Sequence, residues 1–229
     1  MRTITKKLAK LKLAGKKILG YKNRDNYSNA RIHHEIKLVF VHIPKTAGNS
    51  ITSALKQLNP EPRQKSPKIA KHAKAFEVKY LLGKDKWEDY FTFSFVRNPW
   101  DLMVSSYNWW QQKAKTLSGH KDQAKKINKM SFADFMNSRY GKYMINERYG
   151  NFFDWLTENN KIIVDYIGKV ETINEDWEKI CQLNNLEHIE MPHINKSERK
   201  NYRSYYDDNT KEIVAKRFQK SINKFNYSF

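Results

Sequence analysis

The stretch KLVFVHIPKTAGNSI, residues 37–51, constrains the fold more than any other part of the chain. It begins with β-branched and aromatic residues over a strand's length, and Pro44 ends this run because proline fixes φ and lacks an N–H donor. Apolar residues return at helical spacing from Ile51. The pattern predicts a strand, a loop and a helix, with the loop amides and the positive end of the helix dipole facing one anion.

The loop composition suits that role, because it combines a cation, small side chains and hydroxyl donors. The residues predicted to bind the anion are Lys45, Thr46, Ala47, Gly48, Asn49 and Ser50. The common nucleoside-triphosphate loop places its lysine after the second glycine, whereas Lys45 precedes Gly48 here. The pattern therefore argues against a triphosphate site.

A second motif, FTFSFVRNPWDLMVSSY at residues 91–107, predicts another strand and helix. Asn98 and Pro99 end the strand, and Pro99 suits a helix start. Arg97 is therefore expected at the C-terminal end of a strand, where sheets of this type bind ligands. Its planar, permanently charged guanidinium suits a phosphate dianion.

Together the two motifs resemble those of sulfotransferases that use 3′-phosphoadenosine 5′-phosphosulfate (PAPS). The first resembles the 5′-phosphosulfate loop of that family, and the second resembles its 3′-phosphate strand and helix. The resemblance implies that Arg97 and Ser105 hold the 3′-phosphate, whereas Thr46, Ser50 and the loop backbone hold the 5′-phosphate. Sulfuryl transfer is an in-line displacement with charge building on the leaving oxygen, and Lys45 is the group expected to meet that oxygen.

Weaker resemblance continues through residues 164–181 and 191–202, so that it spans the chain from Lys37 to its end. It implies that Ser197 and Lys200 close over the nucleotide, although a solvated basic turn is the alternative. Leu102 departs from the family, which usually has an arginine after the aspartate.

An acceptor hydroxyl must lose a proton during attack, and histidine suits that task near neutral pH. Relatives that this chain resembles carry a histidine ahead of the arginine strand, which makes His72 the predicted base. A capping or surface role is its alternative, and His193 is the reserve candidate. His42 is predicted to be a strand residue rather than the base.

Three strands, each followed by helical sequence, predict an α/β fold: one three-layer domain with a mostly parallel central sheet and a P-loop-like strand, loop and helix. Residues 31–229 form the predicted domain, and residues 1–30 form a basic amphipathic extension that packs on it or touches a membrane surface. Other predicted elements are a proline-rich loop at 59–71, a mobile insertion at 111–129, a strand at 162–167 closed by Gly168, and helices at 175–183 and 207–218.

Charge and composition limit which partners, cofactors and cellular locations the sequence predicts. There are 43 Lys and Arg residues against 24 Asp and Glu, which gives a net charge of +19 and implies anionic partners unless the bias is only compositional. The single cysteine, Cys181, excludes an intrachain disulfide. No signal peptide or apolar run of about 20 residues is recognised, which predicts a cytoplasmic protein. No metal-ligand spacing is found, so no metal is expected.

The sequence therefore predicts a PAPS-dependent O-sulfotransferase whose acceptor, by resemblance and by aromatic and basic content, is a carbohydrate, with no specific nucleic acid partner. Aromatic residues proposed to stack on the sugar are Trp100, Tyr107, Trp109 and Trp110. Two alternatives stay open. One is a kinase-like nucleotide enzyme, and the other is a polyanion-binding module that kept the fold without catalysis.

Overall fold

A computed structural model of the chain describes residues 31–59, 71–116, 121–192 and 199–229. The basic N-terminal extension, most of the proline-rich loop, His193 and Ser197 lie outside the described residues. The strands are β1 (Ile32–His33), β2 (Leu38–Val41), β3 (Phe91–Val96), β4 (Thr157–Glu158), β5 (Lys161–Ile162) and β6 (Tyr166–Lys169).

The helices of the described residues cover the sheet and extend the domain beyond it. They are α1 (Gly48–Leu58), α2 (Ala75–Leu82), α3 (Lys84–Asp89), α4 (Pro99–Thr116), α5 (Lys121–Asn128), α6 (Phe132–Asn137), α7 (Arg139–Tyr143), α8 (Phe152–Leu156), α9 (Ile173–Leu183), α10 (Asp208–Arg217) and α11 (Gln219–Phe225). A π-helical segment spans Met144–Tyr149, and 3₁₀ turns span Val170–Thr172 and Tyr202–Tyr205. Among these described helices, none is long and apolar enough to span a bilayer.

The central sheet has the strand order β1-β2-β3-β6. β2, β3 and β6 are parallel, whereas the short β1 pairs antiparallel with β2 at the edge. The carboxyl ends of β2 and β3 therefore lie side by side, because Val41 pairs with Ser94. This confirms the predicted mostly parallel α/β sheet and brings the two anion-binding motifs to the same edge.

Both faces of the sheet are buried, which explains the nearly continuous apolar strands. Leu38 and Phe40 point toward α1 and α9, where Trp177 is fully buried. Val39 and Val41 point to the opposite face, where α2, α4 and the C-terminal helices form the larger core. Helices on both faces give the three layers that the sequence predicted.

The predicted strand at 162–167 is wrong in its limits. Ile162 belongs to the small β4–β5 hairpin, and the strand of the main sheet begins only at Tyr166. Gly168 lies inside this strand rather than closing it, since it pairs with Phe95 of β3. A glycine is needed there because a Cβ would stand 2.6 Å from the ring of Phe95. Asp165 separates the two strands by accepting hydrogen bonds from the amide and hydroxyl of Thr92.

The predicted mobile insertion at 111–129 is also wrong for its described part. α4 continues to Thr116, and α5 packs against it with Ala124 and Ile127 buried. The Gln111 amide donates to the Ile127 carbonyl at 3.2 Å. Two apolar residues three positions apart were enough to anchor this helix, although the surrounding lysines make the segment polar overall. The predicted helix at 207–218 is confirmed as α10, with Asp207 and Phe218 as its caps, and α11, which the sequence did not predict, follows the buried Phe218.

Candidate active site

The backbone of the loop between β2 and α1 is strained, and a side-chain hydrogen bond holds it in place. Lys45 and Ala47 both have positive φ, at 68° and 57°, a region that residues with a Cβ rarely occupy. Between them, the fully buried Thr46 donates its hydroxyl hydrogen to the Ile43 carbonyl at 2.9 Å. That bond fixes the turn, and the buried Thr46 does not line the cleft, so the predicted contact of its hydroxyl with a phosphate is not formed in this arrangement. Such strain occurs mainly where surrounding structure holds a ligand site in place.

Gly48 is the first residue of α1 and has helical backbone angles. A glycine is required at this position because the ring of His42 occupies the space that a Cβ would fill. A Cβ at Gly48 would come within 1.8 Å of the His42 ring. His42 stacks on Phe40, with ring centroids 5.3 Å apart, and is almost completely buried. The loop glycine therefore serves side-chain packing at the end of β2, in addition to any ligand contact of its amide.

His72, the predicted base, lies beside the same loop. Its ring is 4.5 Å from the ring of His42, and its Nδ1 lies 3.3 Å from the His42 carbonyl oxygen. A carbonyl oxygen only accepts, so Nδ1 carries the hydrogen and the lone pair of the neutral ring is on Nε2. The preceding Lys71 donates to the side chain of the exposed Asn49 at 3.4 Å, which ties this segment to the start of α1.

Arg97 joins the two motifs. It follows β3, and its Nη1 donates to the Lys45 carbonyl and to the Ser105 hydroxyl, each at 3.1 Å. Its Nε and Nη2 bind Asp101 Oδ2 at 2.7 and 2.6 Å. The guanidinium, only 14% exposed, is therefore fixed in orientation by α4 and by the lysine loop together.

Arg199 is a site residue that sequence reasoning missed. Its Nη2 pairs with Asp101 Oδ1 at 2.5 Å, so one carboxylate bridges two arginines from segments about one hundred positions apart. Its Nη1 is buried and has no hydrogen-bond partner among the described residues. The resemblance pointed to Lys200 in the same basic run, but only Arg199 is held against Asp101. The cluster of basic residues around 199–200 was the available sequence signal for this site. It did not show that Arg199 forms an ion pair with Asp101.

A cleft of about 660 Å³ lies between the carboxyl ends of the parallel strands and the segment that contains Arg199. Predicted residues that line it are Ala47, Ser50, Arg97, Ser105 and Lys200. Asp101, Arg199 and Tyr202 line the same side of the cleft as Arg97. Residues 170–175, which follow β6, also line the cleft. The structure thus brings both motifs to one cavity, while His72 lies next to the loop rather than in the lining of the cleft.

Lys45 is surrounded by other cations. Removal of its ammonium from water lowers its pKa to about 7, and the nearby Arg97, Arg199 and Lys71 lower it in the same direction. Positive charges held this close together suit a multiply charged anion. Lys45 Nζ also lies 5.7 Å from the centre of the Trp109 ring.

The structure separates the four aromatic candidates. Trp100 and Trp110 are buried, at 4% and 6% exposure, and the partly buried Tyr107 donates its hydroxyl hydrogen to the Met130 carbonyl. Trp109 is only partly buried, and the ammonium groups of Lys45 and Lys113 both lie over its ring. Trp109 is therefore the aromatic residue of this set whose ring lies beside the Lys45 ammonium.

The start of α4 is held by its own cap residue, Asn98, and by two separate segments, one at Glu171 and the other at the C-terminal residues 227 and 228. Asn98 caps the helix by accepting from the Trp100 amide at 3.0 Å, and its Nδ2 donates to the Ser228 carbonyl at 2.8 Å. Glu171, in the cleft wall, accepts from the Asn98 amide at 2.7 Å and from the Tyr227 hydroxyl at 3.2 Å. Burial and this carboxylate raise the pKa of Tyr227 well above its ordinary value, so it remains a donor.

This fold and site define a class of α/β proteins that bind an anionic ligand at the carboxyl ends of adjacent parallel strands. Residues 28–228 match the profile of the Sulfotransferase family, and the chain belongs to that family. An uncharacterized protein of Archaeoglobus fulgidus is 30% identical over 129 residues, which are 56% of this chain and 96% of that protein.

A solved structure also resembles this fold. The crystal structure of mouse sulfotransferase SULT7A1 complexed with PAP aligns with a TM-score of 0.51 at 12% identity, over 82% of this chain and 87% of the mouse chain. At that identity the likeness concerns the fold alone.

Proposed function

We propose that this protein transfers the sulfuryl group of PAPS to a hydroxyl group of a carbohydrate. The observation that carries the proposal is the double contact of Arg97 Nη1 with the Lys45 carbonyl and the Ser105 hydroxyl. This contact holds the guanidinium of Arg97, the proposed phosphate ligand, beside the loop that contains Lys45. Both lie at the cleft. Family membership and the PAP bound by the mouse neighbour support the choice of donor.

In the proposed reaction, the acceptor oxygen attacks sulfur while the bond between sulfur and the bridging 5′-phosphate oxygen breaks. The acceptor proton passes to His72 Nε2, and the products are a sulfate ester and 3′-phosphoadenosine 5′-phosphate (PAP). Lys45 stabilises the negative charge that develops on the leaving oxygen. Arg97 and Ser105 hold the 3′-phosphate, with Arg199 as a further donor beside them.

The remaining predicted residues take supporting roles in this proposal. The backbone amides of residues 46–49 and the side chain of Ser50 bind the 5′-phosphate, and Thr46 shapes the loop through its bond to Ile43. Lys200 lines the cleft and adds positive charge near the nucleotide. Trp109, partly exposed beside Lys45, supports a carbohydrate acceptor, because sugar rings stack on tryptophan faces.

The identity of the sulfuryl donor can be tested by measuring how different ligands change the thermal stability of the protein. We expect PAP to raise the melting temperature strongly, since a ligand that binds only the folded state stabilises it by an amount that grows with the logarithm of its concentration over Kd. ATP with Mg²⁺ should have little effect. Stabilisation by ATP with Mg²⁺ but not by PAP would support the kinase-like alternative, and stabilisation by heparin chains alone would support the polyanion-binding module.

Transfer from radiolabelled PAPS to a panel of glycans, small alcohols and phenols tests the acceptor. We expect label to appear on glycans. The Lys45→Ala variant should abolish this transfer, and a protein that binds PAP but labels only phenols would contradict the carbohydrate assignment.

A further inference from the structure

A negative charge of the chain itself lies inside the proposed 3′-phosphate pocket. Asp101 lines the cleft from the first turn of α4. Its Oδ2 accepts from Nε and Nη2 of Arg97 at 2.7 and 2.6 Å, and its Oδ1 accepts from Nη2 of Arg199 at 2.5 Å. The carboxylate therefore opposes the anion that this pocket is proposed to bind.

The donors of Arg97 are almost fully engaged by the protein. A guanidinium has five N–H groups. Nη1 directs its two to the Lys45 carbonyl and the Ser105 hydroxyl, whereas Nε and Nη2 each direct one to Asp101. Among the contacts of the described residues, this leaves one N–H, on Nη2, for a ligand. A phosphate that forms the two parallel bonds typical of arginine must therefore take a donor from a protein acceptor, and Asp101 holds the Nε and Nη2 edge.

Arg199 keeps a donor that Asp101 does not use. Its Nη1 is buried and finds no acceptor in the described part of the chain. The side chain of Arg199 is 12% exposed, and those of Arg97 and Asp101 are 14% and 18% exposed. Water and salt therefore screen the charges of this cluster less than they screen charges on the surface.

Asp101 affects a bound phosphate in two opposite ways. It orients both guanidiniums before the ligand arrives, which raises the affinity. It also repels the phosphate across the width of one guanidinium and competes for the same N–H groups, which lowers the affinity. Arg97 is held by Lys45 and Ser105 even without Asp101, so the orienting effect is limited. A phosphate monoester carries about two negative charges, and both oppose the carboxylate, so repulsion is the larger effect.

We infer that Asp101 is an internal counter-ion that competes with the 3′-phosphate for Arg97 and Arg199, and that it weakens the binding of PAP so that this product leaves the site. The inference rests on the proposed function and deepens it by assigning the residue that regulates nucleotide release. Asp101 is a positioning residue, since it acts through the two arginines and not on the reacting atoms. Variants of one binding site differ mostly in dissociation rate, so Asp101 accelerates the departure of PAP.

Calorimetric titration of Asp101→Asn with PAP and with AMP tests the inference without requiring turnover. The amide keeps the size of the side chain and removes its charge. We expect Kd for PAP to fall by about tenfold, whereas Kd for AMP, which lacks the 3′-phosphate, should stay within about twofold. Radiolabelled PAP chased with an excess of unlabelled PAP should dissociate about tenfold more slowly from this variant.

Two further variants control for the shape of the side chain and for the charge of the whole chain. Asp101→Glu keeps a carboxylate beside the arginines, and its ratio of PAP to AMP affinity should stay close to the wild-type ratio. Asp85→Asn removes the same charge from the exposed surface of α3, which leads into the opposite end of β3, and should change neither affinity. A tightening of PAP in Asp101→Glu or Asp85→Asn equal to that in Asp101→Asn would contradict the inference.

A second pair of proteins covers the case in which Asp101→Asn does not fold. Arg199→Met is compared with the double variant that also carries Asp101→Asn, which has lost one charge of each sign. Arg97 is the remaining guanidinium of the cluster in both proteins. We expect PAP to bind about tenfold more tightly to the double variant than to Arg199→Met.

The inference is overturned if removal of the Asp101 charge does not tighten PAP, or if the affinities for PAP and AMP change together. Weaker binding of PAP would show instead that the carboxylate serves the ligand by orienting the arginines. Each of these results leaves the proposed function standing, because PAP still binds. A wild-type protein that does not bind PAP is the separate result that removes the proposed function itself.

Discussion

The guanidinium of Arg97 donates to the carbonyl oxygen of Lys45 across 3.1 Å, and the same nitrogen donates to Ser105. Residues 52 positions apart are thereby joined at the edge of the sheet where two parallel strands end. The contact fixes the spacing between the lysine loop and α4.

Arg97→Ala should weaken PAP much more than AMP, which lacks the 3′-phosphate. Loss of charged hydrogen bonds costs about 1.5 to 3 kcal/mol, or roughly 10- to 150-fold in Kd. Ser105→Ala removes one neutral donor and should cost less. Calorimetric titration with both nucleotides measures the difference. Equal losses for PAP and AMP would instead mean that Arg97 mainly supports the loop through Lys45.

Binding of PAP should be coupled to protonation of Lys45. Its pKa is lowered to about 7 in the folded protein, so above that pH the ligand-free side chain is largely neutral, whereas the bound anion favours the charged form. Affinity should fall as pH rises above 7, by up to about tenfold per unit. Calorimetry at pH 8.5 in buffers of different ionisation enthalpy should detect proton uptake that disappears in Lys45→Met.

The same lowered pKa affects stability with a definite sign. Between pH 7 and the ordinary lysine pKa of 10.5, the unfolded chain binds a proton at this position that the folded chain does not. The free energy of unfolding should therefore rise with pH across this range, relative to Lys45→Met. A difference between the two proteins that stays constant with pH would show that Lys45 is not perturbed.

Asp101→Asn should destabilise the ligand-free protein by about 3 kcal/mol, because it leaves Arg97 and Arg199 close together without their shared carboxylate. PAP should then raise the melting temperature of the variant more than that of the wild type, since ligand phosphate replaces the lost charge. Glu212→Gln breaks the exposed pair with Lys216 and should cost less than about 0.5 kcal/mol. A variant as stable as the wild type without ligand would contradict the bridging role.

Gly48→Ala should cost about 1 to 3 kcal/mol, since the added methyl group overlaps the His42 ring. In a His42→Ala background the same substitution should be nearly neutral. A double-mutant cycle by chemical denaturation measures this coupling. Additive losses would show that the two residues do not share space. Displacement of His42 should also disturb His72, which its carbonyl holds, so that Gly48→Ala lowers kcat for sulfate transfer.

Asn98→Ala should cost about 1 to 2 kcal/mol through loss of the cap of α4, together with the bond to Ser228. Asn98→Ser keeps a capping oxygen but lacks the amide donor, and should recover about half of that loss. Thermal unfolding with and without PAP separates the effects. If serine restores nothing, the contact with Ser228 and not the cap is the dominant one.

Much of the fold could be predicted because its parallel strands are buried on both faces and therefore carry continuous apolar runs. The runs at Leu38 and Phe93, each followed by a proline and a helical pattern, were sufficient to place β2, β3 and the helices after them. The third strand was misplaced, since Ile162 and Ile163 are as apolar as a strand of the main sheet. The pairing of residues 166–169 with β3, with Gly168 against Phe95, shows which residues enter that sheet.

The chain by itself determined the strand, loop and helix of each motif, the strand-end arginine and the excess of positive charge, because local spacing and side-chain chemistry carry that information. Tertiary structure decided that Arg199 joins Arg97 on Asp101, that His42 fills the space beside Gly48, and that Trp109 alone of the four aromatic candidates is partly exposed beside Lys45. Two of these relationships join residues that are far apart in sequence, and the third joins residues on either side of a turn whose backbone path no local pattern gives. They depend on which surfaces meet when the sheet is covered, and no local pattern records that.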